Sequence, residues 1–283
     1  MSNEISAAGK SAVTKQKPSI GESLQQYTTA RVSLGQAGPA IPTREQLRFQ
    51  LDHALARDAV HAQLDVTAML RGIQQRKMEC LALRSAIAAT PGDDRRLYLR
   101  RPDLGRTLHP DSREILLRSA AGAAKNPEAV FVIADGLSAL AVERHALPLL
   151  DALLDITPHL LPLDELDIGP VCVVSQGRVA IGDEIGDLLR ARLSIVLIGE
   201  RPGLSAPDSL GVYITWNPRP GRTDAERNCI SNIRHQGLSY ADAAQRIVFY
   251  RNAAKRLQAT GVTLKENFVP RKRPDDGLQE ATL

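Results

Sequence analysis

Three polar residues stand at the ends of apolar, β-branched runs: Asp135 after AVFVIA, Ser175 after VCVV, and Glu200 after LSIVLIG. Such runs read as strands buried on both faces. In an open parallel sheet the carboxyl ends of the strands share one edge, and ligands bind there, so the three side chains are expected along one rim. The Glu200 end carries the most chemistry. Gly199 frees the backbone, Glu200 brings a carboxylate, Arg201 a cation, and Pro202-Gly203 forces a turn. The same residues also suit a solvated strand end with a local ion pair, and the stretch by itself favours that plainer reading.

Other chemistries are less well served. Gly136-Leu137-Ser138-Ala139-Leu140 sits between a strand and a helix, where a serine-hydrolase elbow belongs, but it lacks the second glycine of that turn. Nothing in the spacing of His235 and Asp183 selects them as triad partners, and Ser138 reads more simply as a helix cap. The six histidines form no HxxxH or HxH pair, so a metal site is unsupported. Cys80, Cys172 and Cys229 lie far apart with no CxxC, and reduced thiols are expected. No GxGxxG follows a strand, which weakens a dinucleotide site. Gly9-Lys10-Ser11 mimics the end of a phosphate loop, but Glu4 stands where the first glycine belongs. What remains is a polar rim without a self-contained catalytic set, a pattern suited to a subunit that holds part of a cofactor against another chain.

The elements that must position this rim follow from periodicity. Thr43 and Gln46 form a capping box before Leu47, Leu51 and Leu55, which predicts an amphipathic helix over 44–61. A second helix is expected over 66–88, with Met69, Ile73, Leu81 and Leu83 as its stripe. The Arg- and Pro-rich LYLRRPDLGRTLHPD reads as irregular, and Asp111 with Glu114 caps a helix to about 124. Strands at 129–135, 171–175 and around 195–198 then alternate with helices over about 138–154 and 183–190, which argues a parallel sheet with right-handed crossovers. A further strand spans 209–216, and Ser239 with Asp242 opens a last helix to about 259.

The expected class is therefore α/β: a Rossmann-like, mostly parallel sheet flanked by helices. The chain divides into a flexible leader over 1–30, a helical domain over 31–125, the Rossmann-like domain over 126–264, and a disordered tail over 265–283. With 283 residues, 43% of them hydrophobic, it is long enough for a sizeable core. No apolar run reaches membrane-spanning length and the first twenty residues have no signal-peptide core, so a cytoplasmic protein without membrane contact is expected. Its 36 basic residues nearly balance 32 acidic ones, and 4% aromatic content gives little for bases to stack on; no nucleic-acid partner is expected.

Several segments carry a resemblance. FVIADGLSALAVE (131–143), GRVAIGDEIGDLL (177–189), LIGERPGL (197–204) and ERNCISNI (226–233) resemble the small, or light, subunit of ethanolamine ammonia-lyase. GQAGP (35–39), LRFQLDHALARDAV (47–60) and YLRRPDLGR (98–106) resemble it too, in the same order, over about 31–264. The resemblance implies an adenosylcobalamin-dependent lyase that converts ethanolamine to acetaldehyde and ammonia. In that family a large barrel subunit holds the substrate and the catalytic side chains, and the small subunit covers part of the corrin at the interface, within a hetero-oligomer often housed in a bacterial microcompartment.

Carried over by position, the cobalamin contacts fall on Val179, Glu200 and Cys229; Arg178, Arg201, Gly203, Asp135 and Ser138 are weaker candidates on the same edge. No catalytic residue and no metal ligand is implied on this chain. It departs from the family pattern at Gln36, Arg100 and Gln176, and in the turn Gly237-Leu238-Ser239-Tyr240, which bears on subunit contact more than on cofactor binding. The alternative is an autonomous Rossmann-like module that holds a nucleotide or another small molecule on the same rim.

Overall fold

The computed structural model describes residues 23–24, 27–28, 30–89, 95–160 and 167–265. Most of the expected leader, Gly9-Lys10-Ser11 included, and the expected tail beyond Lys265 lie outside them. The chain divides into two compact units, one up to Asp52 and one from His53. In the first, Ala37 and Ala40 exchange backbone hydrogen bonds around Gly38, and Arg31 pairs with Asp52 at 2.6 Å while lying over the Phe49 ring. Helix α1 spans Thr43–His61. Its first free N–H groups, on Glu45 and Gln46, donate to the carbonyl of Pro42, so Thr43 lies inside the helix. Leu47, Leu51 and Leu55 follow the expected helical spacing but remain exposed.

The second unit is built on a six-stranded sheet of order β1-β3-β2-β4-β5-β6. Its strands are β1 (Cys80–Arg84), β2 (Ala129–Ala134), β3 (Val171–Ser175), β4 (Leu193–Gly199), β5 (Leu210–Trp216) and β6 (Arg227–Ile233). The first four run parallel, whereas β5 is antiparallel to both β4 and β6. The α/β, mostly parallel class is as expected.

Alternation along each strand divides the apolar side chains between two cores. Ala129, Phe131 and Ile133 of β2 face α2 (Val66–Gln75), α5 (Ala139–Leu160) and α7 (Tyr240–Leu257). Val130, Val132 and Ala134 face α4 (Pro110–Gly122) and α6 (Ile181–Leu188). Each fully buried Leu or Ile in these layers contributes about 1.5–3 kcal/mol.

Several expectations are corrected. The helix expected over 66–88 ends at Gln75, and Cys80–Arg84 is an edge strand paired with β3. Arg76 caps the helix and Lys77 takes a left-handed φ of 58°, so the chain turns with no glycine or proline to signal it. The Arg-rich stretch taken as irregular holds a short helix, α3 (Arg95–Arg100), whose Tyr98 is fully buried. The cap of α4 is His109, whose Nδ1 accepts from the Asp111 N–H, and Asp111 sits in the first turn. Residues 229–233, given no element, belong to β6.

The β2–α5 turn is locked against the end of β4. Gly136 adopts φ +56°, and a Cβ there would lie 2.4 Å from the Gly199 carbonyl oxygen; a Cβ on Gly199 would lie 2.0 Å from that of Ser138. The Leu137 N–H donates to the Gly199 carbonyl at 2.9 Å. Gly199→Ala should therefore lower the unfolding free energy by about 2–3 kcal/mol through overpacking. Gly122→Ala, where a Cβ meets open space, should leave it nearly unchanged. Urea unfolding midpoints decide this, and equal midpoints for the two variants would show that the turn gives way freely.

Candidate functional site

The carboxyl ends of β3, β2 and β4 lie side by side, so Ser175, Asp135 and Glu200 do share an edge. They do not share a site. Ser175 is engaged through its carbonyl, which accepts from the Ser85 N–H at 3.2 Å. Asp135 is 2% exposed and faces inward, where its Oδ2 accepts from Arg95 Nη1 at 2.9 Å and its Oδ1 from the Gly177 N–H at 3.1 Å. Of the three, Glu200 is the one that lines an open groove on the rim.

It opens onto a shallow groove of ≈ 460 Å³ lined by Gly136, Leu137, Arg178, Val179, Ile198, Gly199, Glu200, Arg201 and Tyr213. Two donors hold one oxygen of the Glu200 carboxylate: Ser209 Oγ donates to Oε2 at 2.5 Å and the Asn232 N–H donates to the same atom at 3.1 Å. The Glu200 N–H in turn donates to the Ser209 carbonyl at 2.9 Å, which closes the loop between β4 and β5 at its neck. Val179 and Arg178 come from the β3–α6 connection. Gln176 enters it at a left-handed φ of 56°, and the Arg178 N–H donates to Gly105 O at 2.7 Å. The Arg178 guanidinium lies 4.1 Å from the Tyr98 ring centroid, a cation–π contact, and donates to Tyr98 O at 3.2 Å. Neither Arg178 nor Arg201 has a carboxylate within ion-pair distance among the described residues.

Cys229 is not in the groove lining. It sits on β6 directly opposite Tyr213, with its thiol against the phenol. Val179, Glu200 and Cys229 thus border one patch, the last through Tyr213. That tyrosine was missed because its run, SLGVYITW, carries only a strand signal; the antiparallel register of β5 brings it beside Cys229. Burial pushes the Tyr213 hydroxyl well above its ordinary value, and the neighbouring Cys229 and Glu200 add to this. Burial raises the Cys229 thiol as well, with Glu200 opposing the thiolate.

Of the weaker candidates, Arg178 and Arg201 line the groove, whereas Gly203 belongs to a turn closed by hydrogen bonds with Ala206. Ser138 is buried; its Oγ accepts from the Ala141 N–H at 3.2 Å and donates to the Pro207 carbonyl at 2.9 Å, so it caps α5 as expected and is no nucleophile. Asp183 is held by Arg227 through two 2.6 Å hydrogen bonds. That commitment removes it from any triad. Among the described residues no cluster of three or more His, Cys, Asp or Glu is placed to hold a metal ion, and no helix is long and apolar enough to cross a membrane.

Most of the chain is matched by relatives. The sequence model of the ethanolamine ammonia-lyase light chain (EutC) matches residues 19–265. The chain belongs to the ethanolamine ammonia-lyase light chain family. A protein of Pseudomonas aeruginosa (strain LESB58) named "Ethanolamine ammonia-lyase small subunit" is 52% identical over 243 residues, 86% of each chain. Relatives of the same name from Azotobacter vinelandii and Xanthomonas campestris pv. campestris are 50% identical over 245 residues and 49% over 243, covering 87% and 86% of each chain. In this light chain, the family-like segments 131–143, 177–189, 197–204 and 226–233 form the β2–α5 turn, the β3–α6 connection, the β4 end and β6. All four border the groove or support it.

Two outcomes test this arrangement. Burial raises the Asp135 pKa to about 6, against the opposing pull of Arg95. The native state then binds a proton the unfolded chain lacks between about 3.8 and 6, so the contribution of this carboxyl to stability falls as pH rises through that window. Carboxyl 13C NMR should place its midpoint near 6, and Arg95→Met should move it higher; a midpoint near 4 in the wild type would contradict the burial. The second concerns Cys229, the exposed member of the three cysteines. Its alkylation by iodoacetamide at pH 7.5 should run several-fold slower than that of free cysteine and accelerate in Glu200→Gln. An unchanged rate in that variant would separate the thiol from the groove.

Proposed function

We propose that this chain is the small subunit of an adenosylcobalamin-dependent ethanolamine ammonia-lyase, working with a large catalytic subunit to convert ethanolamine to acetaldehyde and ammonia. Its part is to cover one side of the cofactor. The observation that carries this is the meeting of Val179, Glu200 and, through Tyr213, Cys229 on one open patch of the rim.

The donor set fits a corrinoid. Such a ring has a wide, methyl-bearing face and a periphery of amides that both donate and accept hydrogen bonds. Val179, Leu137 and Ile198 offer apolar surface, the Glu200 carboxylate accepts, and Arg178 and Arg201 donate. A shallow groove of ≈ 460 Å³ covers only part of a ring that large. The rest must be enclosed from the other side, which is the role left to the large subunit.

When bound, the cofactor supplies the radical chemistry. The tasks of this chain are orientation and exclusion of water. Glu200, pinned by Ser209 and Asn232, presents its carboxylate in a fixed place. Val179 and Tyr213 close the apolar surface beside it. The Cys229 thiol, kept protonated, adds a small polarizable contact that does not compete for a metal.

The test is absorbance of cobalamin co-eluting with the chain on gel filtration, with and without a co-expressed large subunit, alongside ammonia release. Retention and ethanolamine-dependent activity are expected only with both chains. Glu200→Ala should weaken retention roughly ten-fold, as loss of a charged hydrogen-bond acceptor does. A chain that never joins a large subunit and retains a nucleotide by itself would overturn the proposal in favour of an autonomous binding module.

A further inference from the structure

Behind the groove, three segments distant in sequence meet at one buried histidine. His145, on α5, is 0% exposed. Its Nδ1 lies 2.8 Å from the Tyr240 hydroxyl at the start of α7, and its Nε2 lies 3.4 Å from Asp208 Oδ2 in the β4–β5 loop, too long for a good hydrogen bond. Arg144 Nη1 holds the same Asp208 oxygen at 2.8 Å. The His235 ring packs against both His145 and Tyr240, with centroids 5.6 and 5.8 Å away. One neutral tautomer suits all of this: Nδ1 accepts from the Tyr240 O–H, and Nε2–H points to Asp208.

The loop these contacts hold is the one that carries Glu200. Asp208 lies between Pro207, whose carbonyl accepts from Ser138 Oγ, and Ser209, whose hydroxyl donates to the Glu200 carboxylate. On the α7 side, strand β6 supplies the Asn232 N–H to Glu200, and Arg234, in the loop that leads to α7, reaches Ser205 O at 3.4 Å. The Glu200 seat is therefore fastened to α5 and α7 through residues that never touch the groove.

We propose that His145 is a positioning residue for the groove: neutral, hydrogen-bonded to Tyr240 and packed against Asp208, it holds the Glu200–Ser209 loop beside α5 and α7, and its protonation loosens that loop. A proton at Nδ1 would confront the Tyr240 hydroxyl and force its O–H away. It would also place a cation on a fully buried ring beside Arg144 and His235, with Asp208 as the facing anion, already shared with Arg144. Burial accordingly depresses the His145 pKa, the Asp208 charge only partly offsetting it. A histidine with a depressed folded pKa gives its full stabilisation above the unfolded value, about 6.5, and loses it as pH falls through the folded one. The clamp stands on the contacts alone; its effect on cofactor retention rests on the reading above.

The experiment is hydrogen–deuterium exchange of peptides spanning 200–209 in the full chain and in its complex, at pH 7.5 and 5.5, corrected for intrinsic exchange. Tyr240→Phe keeps the ring and removes only the hydroxyl, so it serves where a His145 variant fails to fold. At pH 7.5 this variant should expose the loop up to roughly ten-fold more than the wild type. The wild type should show a comparable rise on going to pH 5.5, and Tyr240→Phe a smaller one. Loop protection unchanged in Tyr240→Phe, or independent of pH in the wild type, would overturn the clamp. Cobalamin retained by the complex should fall with the same pH midpoint as loop protection; a moving loop with constant retention would keep the clamp and remove its link to the cofactor.

Discussion

Arg95 and Asp135 form a pair almost without solvent exposure, and the rim is arranged around it. Arg95 donates to Asp135 through Nη1, to the Gly136 carbonyl through Nη2 at 2.7 Å, and to the Val60 carbonyl through Nε at 2.8 Å. Asp135 spends its other oxygen on the Gly177 N–H. A single ion pair thus fixes the end of α1, the β2–α5 turn and the first residue of the segment that delivers Arg178 and Val179. Such a pair adds little net stability over an apolar substitute, yet removing one partner costs about 3–5 kcal/mol because the other is left buried without its counter-charge. Its value here is specification: only one placement of the β3–α6 connection satisfies Asp135. Tyr98 belongs to the same arrangement, with the Arg95 and Arg178 guanidiniums over its ring and its hydroxyl donating to Gly177 O.

The reversal of strand direction at β5 explains why the groove is open. A further parallel strand would need a crossover helix, which would pack on one face of the sheet. The antiparallel β5 and β6 need only loops. Their other face is covered by α7, where Val212, Ile214, Ile230 and Ile233 join the larger core. Tyr213 and Cys229 alternate to the opposite side, the face on which α6 packs against β4, with Gly182 so close that a Cβ would lie 2.3 Å from Val196 Cγ2. The same topology leaves a strand-edged apolar patch and puts Glu200 at its border.

The central strands were legible because burial on both faces leaves uninterrupted β-branched runs, and the caps Ser138 and Ser239 were legible from residue type and position. Edge strand β1 was not. Its five residues, CLALR, continue the apolar stripe of α2, and the break falls on Lys77, a residue that gives no turn signal. Of the rim residues, Glu200 was legible from the strand end itself and Val179 only from a segment that resembles a family, whereas Asp135 was right in position and wrong in direction. Which way a strand-end carboxylate points depends on whether a cation waits behind it. Arg95 lies forty residues away on a helix read as irregular chain, so no local pattern reports it. His145, Asp208 and Tyr240 come from three elements and carry no spacing at all.

The charges of the groove are differently prepared. Glu200 is oriented by two internal donors and Arg178 by the Tyr98 ring and carbonyl, so folding has already ordered both side chains and binding need not. Arg201 is exposed and has no such support. In an open groove water screens all three, and each polar contact to a ligand is worth little. Covering the groove with a second surface lowers the local dielectric and strengthens every contact that is already aimed, without moving any of them. A chain that fixes its polar groups while leaving one side unenclosed gains most of its grip only when another chain closes over it. Under the proposed function, that dependence on closure, more than any single residue, is what suits this fold to one half of a shared site.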